Sequence, residues 1–545
     1  MNIRRDYRPG VLTRLARNEA GNTIAILAAS LVPLAGMIGG GLDLSRAYLV
    51  KTRLAQACDA GVLAGRKMMG SSGSVSGQVT SEVRKYVNFN FPQNYMDTDE
   101  FAITPTLGSQ DQIVLTLSTN VPTAIMQLFG KTEIAVSTTC SARNDYANID
   151  IVLVLDTTGS MACKPERTED DCKSWINNNR MSGKTKTIDN KTVTYVDEEK
   201  SGGGNISRMQ GLRTALVTLQ TEIGKIETEF NSAPSASRKR VRWAIVPFSQ
   251  MVNAGLSKGS AGTTLYARNP TWFNTTGNYK AIYSCGRNSC ASNNYNISHS
   301  ASWLSNTWDG CVEERRTSNA ITPDTNYSIP NNLPATAYDL KFDDQPTSTD
   351  TRWTVADPSQ TGSSQYACPK AMRELQSLSA TDFNNYFLGE TGFLANGGTY
   401  LDIGMMWAAR LLSRTGLWSS DNPQIYNSYP VSRYVIFMTD GQMDTGNTGY
   451  GAYAQEAWWK RVASDGAVGT NNDNHSQRML MTCGAIKNMD AKIFAISFGA
   501  GSSLSSLLTG CSSGAGFGYK ADNASGLQTA FRDIGKTIGS LRLSQ

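Results

Sequence analysis

The chain has 545 residues, a net charge of +5 at pH 7 and 18% charged residues. That length suffices for roughly two to four domains, and the ordinary composition excludes disorder, collagen and coiled coil as descriptions of the whole chain. The charge excess is small for the length, so composition gives no reason to expect a nucleic-acid partner.

An uncharged apolar stretch near the N-terminus predicts a membrane-spanning helix. It runs from Gly21 to Leu42, and about 20 apolar residues in a helix cross a ~30 Å hydrocarbon core. The residues before it are rich in arginine, which predicts a cytoplasmic N-terminus and an exported C-terminal part. We assign residues 1–21 to the cytoplasmic segment and residues 22–42 to the span.

A cleaved signal peptide is the alternative interpretation of this stretch. The apolar run is longer than the roughly 7–15 residues of a signal-peptide core, no A-x-A cleavage site is clear, and a plausible helix continues beyond it. Prepilin-type cleavage after Gly21 would usually place Glu five residues later, where this chain has Ile26. We therefore expect a retained anchor, and whether it is cut later to release an adhesin stays open.

Residues 43–146 predict a small α+β module. The segment after the span continues as a helix until the Gly/Ser-rich run GSSGSVSG. Farther on, apolar and polar residues alternate in QIVLTLSTNV and TEIAVSTTCSA, a period of two that is typical of strands.

Four continuous apolar runs in residues 147–545 predict the central strands of a parallel sheet. They are IDIVLVLD, VRWAIVPFS, RYVIFMTDG and AKIFAISFG. Amphipathic helical patterns lie between them, as in SRMQGLRTALVTLQTEIGKIE. Strands that alternate with helices predict an α/β fold with a doubly wound, mostly parallel, Rossmann-like sheet, in which ligands bind beyond the carboxyl ends of the strands.

Three long polar insertions interrupt this pattern, near residues 162–206, 250–370 and 442–475. Structureless loops of this length are rare in compact domains, so we expect them to carry disulfides and local structure. We interpret their many aromatic residues as small local cores, with a recognition surface as the alternative. Both histidines, His299 and His475, lie in these insertions, where we expect solvated surface positions.

The ten cysteines indicate disulfides rather than a zinc site. None forms a CxxC pair, only two histidines exist, and an even number in loop-like sequence fits an oxidising compartment. The sequence does not determine the connectivity. Proximity along the chain suggests three candidate pairs: Cys163–Cys172, Cys285–Cys290 and Cys483–Cys511.

Oxygen-bearing side chains follow several of the predicted strand and loop ends. Asp156, Thr158 and Ser160 form an Asp-x-Thr-x-Ser run after the first strand, Thr399 closes a Gly-Gly-Thr run before a helix, and Asp440 ends a later strand. Parallel strands present their carboxyl ends at one edge, so we expect these side chains to converge. Two carboxylates and three hydroxyls suit Mg²⁺, with Mn²⁺ and Ca²⁺ as alternatives.

The order DxTxS, GGT, TDG resembles the metal-ion-dependent adhesion site of von Willebrand factor A domains. The resemblance implies that Thr158 and Ser160 bind the metal directly, with Thr399 as a further ligand. It also implies that Asp156 and Asp440 act through water or hydrogen bonds, and that the open position accepts a carboxylate from a partner. Thr158 stands where the family usually has Ser, and it keeps the hydroxyl.

The N-terminal run RNEAGNTIAILAASLVPLAGMIGGGLDLSRAYLVKTRLAQACDAGVLAG, followed by an A-type domain, resembles the TadG-type proteins of tight-adherence (Flp) pilus systems in Gram-negative bacteria. The resemblance implies a TadE/TadG-like juxtamembrane module in residues 43–146 and a von Willebrand factor A domain in residues 147–545. It also implies an inner-membrane anchor, a periplasmic C-terminal domain, and pilus or envelope protein partners that offer a carboxylate.

We expect a binding and assembly protein rather than an enzyme. Aspartyl phosphatases need a second carboxylate two residues after the nucleophile, where this chain has Thr158. No Walker-type phosphate loop is present, and triad hydrolysis needs a positioned base, commonly histidine. The alternative to metal-dependent binding is a structural envelope scaffold or adhesin with a vestigial metal site.

Overall fold

The protein divides into two compact units, Met1–Asp145 and Tyr146–Gln545. The structure is a computed structural model, and each unit is described by itself. It describes residues 19–69, 74–108, 112–142, 147–188, 191–232, 239–254, 265–285, 290–360, 365–388, 393–499 and 504–540.

A long helix dominates the first unit. Helix α1, Glu19–Met69, contains the predicted span and continues well beyond it, so the span and the juxtamembrane helix are one element. By length and composition it is the one helix among the described residues that could cross a membrane. The remaining elements are α2 (Gly77–Asn90), β1 (Thr106–Leu107), β2 (Ile113–Pro122) and β3 (Glu133–Ala142), and the three strands form an antiparallel sheet in the order β1-β2-β3.

Apolar residues spaced for one helix face hold the first unit together. Val79, Val83 and Val87 of α2 recur every four residues and are fully or almost fully buried with the apolar face of β2. The polar residues of β2 alternate with this buried set, which is the pattern of a sheet with one face on a core. A disulfide between Cys58 of α1 and Cys140 of β3 adds a covalent link.

The second unit alternates strands and helices around one large sheet. Its elements are, in chain order, β4 (Asn148–Asp156), α3 (Glu169–Asn178), β5 (Lys184–Ile188), β6 (Lys191–Tyr195), β7 (Lys200–Ser201), β8 (Gly204–Asn205), α4 (Arg208–Ser232), β9 (Val241–Phe248), α5 (Leu265–Arg268), β10 (Phe273–Asn274), β11 (Thr276–Cys285), β12 (Cys290–Ser298), α6 (Ala301–Asn306), β13 (Val312–Glu313), β14 (Trp353–Val355), β15 (Arg373–Gln376), α7 (Ala380–Phe387), α8 (Leu401–Leu412), β16 (Ile425–Tyr426), β17 (Tyr429–Thr439), α9 (Glu456–Trp459), α10 (Val468–Asn488), β18 (Ala491–Phe498), α11 (Ser506–Cys511), β19 (Gly518–Ala521) and α12 (Ala524–Ser540).

The large sheet is mostly parallel. Its strand order is β15-β9-β4-β17-β18-β19, and the five strands from β9 to β19 run parallel to their neighbours. The short strands β15 and β16 add to β9 and β17 in antiparallel fashion. The four predicted central strands are all present, at the centre of the sheet, and their carboxyl ends share one edge.

Both faces of this sheet are covered, because alternate residues of each central strand enter different cores. In β4, Val152 and Val154 pack in the core that contains α8 and α10, whereas Ile151, Leu153 and Leu155 pack in the core that contains α4 and α12. A strand buried on both faces must be apolar at every position, which explains the uninterrupted runs in the sequence. The observed architecture is a mixed α/β unit.

The insertion near 250–370 packs on the sheet core instead of forming separate small cores. Trp308 is 1% exposed, and it clusters with residues of the central strands and of α8. Tyr266, Trp272 and Trp303 pack against the same cluster. A disulfide between Cys311 and Cys368 closes much of the insertion. The aromatic residues described here therefore serve packing, in one core shared with the sheet.

Three ion pairs, two of them buried and one partly exposed, join this insertion to later parts of the chain. Arg410 of α8 makes a bidentate pair with Glu314, with N–O distances of 2.9 and 2.8 Å. Arg478 of α10 pairs with Asp339 at 2.6 Å, and Arg461 pairs with Glu313 at 3.0 Å. We refer to these three pairs as the insertion cluster, in which every carboxylate has its own guanidinium.

Candidate metal centre

The loop after β4 is organised by a buried aspartate. Asp156 is the last residue of β4, and its side chain is fully buried. Its Oδ1 accepts the backbone N–H of Thr158 at 2.8 Å, and its Oδ2 accepts the hydroxyl of Thr439 at 2.6 Å. The carboxylate thus ties the end of β4 to the end of β17 and sets the path of the loop that follows.

Two predicted hydroxyls and the second predicted carboxylate meet directly. Thr158 Oγ1 lies 3.1 Å from Ser160 Oγ, and Ser160 Oγ donates to Asp440 Oδ1 at 2.9 Å. The side chain of Asp440 is completely buried. These residues come from two strand ends about 280 positions apart, and the parallel pairing of β4 with β17 brings them together.

The Gly-Gly-Thr loop joins the same edge through backbone hydrogen bonds. Gly159 N–H donates to Gly397 O at 3.0 Å, and Thr399 exchanges two backbone hydrogen bonds with Asp444. Thr399 Oγ1 lies 4.0 Å from the position that a Cβ on Gly441 would take. The third predicted hydroxyl therefore lies beside the loop that carries Asp440.

Both glycines of that loop stand where a side chain would clash with neighbouring atoms. Gly397 has φ +84°, and a Cβ there would lie 2.5 Å from the Ala367 side chain. A Cβ on Gly398 would lie 2.9 Å from the carbonyl oxygen of Asp444. Any larger residue would push the loop away from the edge, so the close approach explains the Gly-Gly sequence.

The electrostatics of the site follow from burial of two acids close together. Burial, and after it the neighbouring charge of Asp440, raise the pKa of Asp156 to about 7, against the lowering effect of hydrogen bonds from Thr439 and Thr158. Desolvation and a like charge both disfavour an ionised carboxylate. A bound cation would relieve both effects, so the pair is suited to hold one.

Arg208 is a functional residue that the sequence analysis missed. It begins α4, and its Nη1 lies 2.8 Å from Asp440 Oδ2, with 3% of its side chain exposed. Its Nη2 also donates to the carbonyl oxygen of Arg167 at 2.5 Å. A cation is unfavourable at a helix N-terminus, and this placement was the signal that could have pointed to a buried acidic partner.

The residues present fit a divalent cation by their donor chemistry. Two carboxylates and two hydroxyls are linked by hydrogen bonds, a third hydroxyl lies on the adjacent Gly-Gly-Thr loop, and hard oxygen ligands are those that Mg²⁺ and Ca²⁺ prefer. Arg208 is the departure from a simple oxygen site, because it already neutralises one of the two negative charges. We expect it to weaken the affinity for a cation without removing any oxygen donor.

Another group of potential ligands is not a metal site. Asp309, Cys311 and Cys368 place their ligand atoms within 4.8 Å of one another. The two cysteines, however, form a disulfide, and a disulfide sulfur is not the thiolate that binds a metal.

Disulfides join two of the three candidate cysteine pairs. Cys163 bonds to Cys172, directly after the loop that carries Thr158 and Ser160, and Cys483 of α10 bonds to Cys511 of α11. Cys285 and Cys290 are register partners at the end of the β11–β12 hairpin, and their side chains lie outside the described residues. The bonds Cys58–Cys140 and Cys311–Cys368 were not anticipated.

The expectation that both histidines are solvated is wrong. His475 is fully buried in α10, and its Nδ1 lies 2.8 Å from Asp402 Oδ2. The rings of Tyr400 and Tyr453 pack edge-on against it. His299 stacks on Trp303 with ring centroids 3.7 Å apart. The helix α10 begins inside the predicted insertion 442–475, and its buried polar residues include Asn474 and His475, which hydrogen-bond to Val462 O and to Asp402.

Comparisons with known proteins give a family for the N-terminal segment. Residues 21–68 match the Tad family, described as Flp pilus-assembly TadE/G-like. No curated protein matches the chain significantly. The family match and the apolar helix together support a pilus-associated protein with a membrane anchor.

Two solved structures have a distant likeness to the chain. The PilB minor pilin from Streptococcus sanguinis is 11% identical, with a TM-score of 0.31, and the match covers 82% of this chain and 79% of that one. The pilus adhesin SpaC from Lactobacillus rhamnosus GG is 10% identical, with a TM-score of 0.30, and the match covers 81% of this chain and 34% of that one. These scores are too low to define a common fold.

Proposed function

We propose that this chain is a membrane-anchored binding and assembly protein of a tight-adherence pilus system. In this proposal residues 147–545 form a von Willebrand factor A domain, and the edge of its sheet is a metal-ion-dependent adhesion site. The observation that carries the proposal is the convergence of Asp156, Thr158, Ser160, Thr399 and Asp440 from three separate loops. The match of residues 21–68 supports the pilus system.

The site would act as a clamp for a partner carboxylate. Thr158, Ser160 and Thr399 would hold the cation through their hydroxyls, and the ion would supply the positive charge that binds a carboxylate of a pilus or envelope protein. Asp440 would hold the Ser160 hydroxyl in place, and Asp156 would hold the loop backbone. These roles involve binding only, which agrees with the expectation of a protein that is not an enzyme.

The proposed location is the inner membrane, with the N-terminus in the cytoplasm and the second unit in the periplasm. The arginine-rich segment before the span supports this orientation. Four disulfides among the described cysteines support an oxidising compartment for everything after the span.

The test is thermal unfolding of the full-length chain in detergent, with EDTA, Mg²⁺ or Mn²⁺. All ten tryptophans lie after residue 146, so tryptophan fluorescence reports the second unit. At a metal concentration one hundred times Kd, binding adds about 2.7 kcal/mol to the stability. We expect a metal-dependent rise in Tm that the Asp156→Ala and Asp440→Ala variants lose.

A surface acid provides the matched control. Asp522→Ala removes an exposed carboxylate that pairs with Lys520, and it should keep the full response to metal. The same Tm in EDTA and in Mg²⁺, for a folded protein, would contradict the proposal. For the partner, capture from an envelope fraction should require Mg²⁺ and an intact Asp440.

A structural scaffold with a vestigial metal site is the second candidate. The observation that favours it is the ion pair between Arg208 and Asp440, which places a protein cation beside the proposed metal position. In that case neither the wild-type chain nor a variant without Arg208 would respond to metal.

A further inference from the structure

We infer that the turn Ile125–Phe129 of the first unit inserts into the membrane beside the anchor helix. This turn, which we call the membrane turn, connects β2 to β3, and Met126–Phe129 form a 3₁₀ helix within it. Leu128 is 80% exposed and Phe129 is 45% exposed. Adjacent exposed apolar side chains that adjoin a larger apolar surface mark an interaction site, and the partner inferred for this one is a lipid bilayer.

The membrane turn lies against the part of α1 that is proposed to be in the bilayer. A Cβ on Gly36 would lie 3.6 Å from Phe129 Cζ, and a Cβ on Gly39 would lie 2.3 Å from Ile125 Cγ2. Both glycines belong to the uncharged stretch that ends at Leu42. The turn therefore packs closely against α1 at two glycines, where the helix has no side chain in the way.

Asp43 fixes the turn at the first charged position after the span. Its carboxylate accepts the backbone N–H groups of Ala124, Ile125 and Met126 at 2.8, 3.1 and 2.8 Å, and it is 1% exposed. Gly36 lies seven residues before Asp43, about 10 Å along the helix axis. Phe129 thus reaches about 10 Å into the apolar stretch, a depth typical of interfacial segments.

Most backbone N–H groups of the turn have hydrogen-bond acceptors within the protein, as an environment without water requires. Besides the three groups held by Asp43, Leu128 N–H donates to Ile125 O, Gly130 N–H to Gln127 O, and Lys131 N–H to Met126 O. Unsatisfied backbone groups are costly in hydrocarbon. The exposed Lys131 follows directly, and a cation at this level suits anionic headgroups.

The occupant is lipid rather than a protein, because the apolar surface of the turn is continuous with the exposed apolar surface of the span. Met37 and Ile38, which lie between the two glycines, are 70% and 58% exposed. A helix in a bilayer and a turn packed on it at the same depth contact the same acyl chains. This inference rests on the proposed membrane anchor.

The experiment places a fluorophore on single cysteines of the full chain in phosphatidylcholine/phosphatidylglycerol vesicles. Leu128→Cys reports the turn, and Met37→Cys reports the span. Leu107→Cys is the aqueous control, since Leu107 is 49% exposed and its register partner Ile113 contacts α1 at Gly65, about 33 Å beyond Asp43. Wild-type chain labelled in parallel gives the background.

We expect brominated lipids to quench the label at Leu128 at least twofold and iodide to leave it nearly unchanged, with the reverse at Leu107. Quenching at Leu128 by iodide only, or by neither quencher, would overturn the inference, since the turn would then face water or a protein. If lipid does not quench the label at Met37 either, the result contradicts the proposed membrane anchor rather than the position of the turn. The Gly39→Val variant should displace the turn from α1, because the new side chain would clash with Ile125. Lipid quenching at Leu128 should then be lost while the label at Met37 stays quenched.

Discussion

Two groups of buried acidic side chains in the second unit differ in how their charge is balanced. In the insertion cluster each of three carboxylates has its own guanidinium. At the candidate metal centre Arg208 pairs with Asp440, whereas Asp156 accepts hydrogen bonds from Thr158 and Thr439. A fully paired cluster needs nothing else and serves the fold, whereas an underpaired one leaves a net negative charge that a cation can occupy.

A third environment extends the comparison to an acid that has no cationic partner among the described residues. Glu227 of α4 accepts a hydrogen bond from Trp243 Nε1 at 3.4 Å, and no arginine or lysine in the described part of the chain pairs with it. Burial raises its pKa to about 7, partly offset by the tryptophan. The three environments thus form a series from full to partial to absent compensation.

The largest expected effect comes from breaking a balanced pair. Burial works to raise the pKa of Glu314, yet the charge of Arg410 and its hydrogen bonds hold it below the usual value. Arg410→Met removes the guanidinium paired with that buried carboxylate and leaves only the weaker effects of Arg315 and Trp353, which should cost about 3–5 kcal/mol. Denaturant unfolding followed by tryptophan fluorescence measures the loss.

The matched control removes both charges. The double variant Arg410→Met/Glu314→Gln should regain a large part of the stability, because a neutral pair of similar volume carries no ionic desolvation penalty. Equal losses in the single and the double variant would show that shape, not charge balance, is what the cluster provides.

At the candidate metal centre, removing the arginine should strengthen metal binding, whereas removing Arg410 from the insertion cluster only destabilises the fold. Arg208→Gln removes a positive charge next to Asp440, and unit charges ~4 Å apart interact by about 4 kcal/mol at an effective dielectric constant of ~20. We expect the Kd for Mg²⁺, measured by titration calorimetry, to fall at least tenfold, or about 1.4 kcal/mol.

Arg213→Gln on the same helix is the control for this change. Its guanidinium pairs with Glu198 at 2.6 Å and not with the site, so the Kd should stay the same while stability falls. An unchanged Kd for Mg²⁺ in Arg208→Gln would contradict the prediction, because the arginine would then not compete with the cation for Asp440.

The uncompensated acid should make stability depend on pH. Between its ordinary pKa of 4.5 and about 7, the folded state binds more protons than the unfolded state, so stability falls as pH rises through this window. Glu227→Gln should flatten the slope and stabilise the protein at pH 8 by on the order of 1 kcal/mol, allowing for partial exposure. Unfolding midpoints at pH 5 and pH 8 test this, with Glu166→Gln, at an exposed position, as the surface control.

An exposed ion pair at the rim of the metal centre should have the smallest effect. Lys173 lies 3.4 Å from Asp444, and both side chains are about half exposed. Lys173→Ala should change stability by less than about 0.5 kcal/mol, since water and salt screen such pairs. A loss above 1 kcal/mol would mean that this lysine is part of the site.

Sequence patterns predicted the central strands because burial on both faces demands uninterrupted apolar residues. Strand β15 was missed, since RELQ is short, half-buried and antiparallel at an edge. The five oxygen donors stay a prediction, which rested on each of them following a strand or loop end. The acidic partners of Arg208 and His475 were not predicted, since they lie 232 and 73 positions away and no local pattern encodes such pairs.

The bond between Cys58 and Cys140 bears on how the molecule would carry tension. Pulling on the chain beyond Cys140 transmits force to the anchor helix at Cys58, because the 82-residue interval between them is bridged covalently. About 290 Å of extended chain is thereby withheld from stretching. A load on the second unit would reach the membrane while the small sheet and the membrane turn stay unstrained.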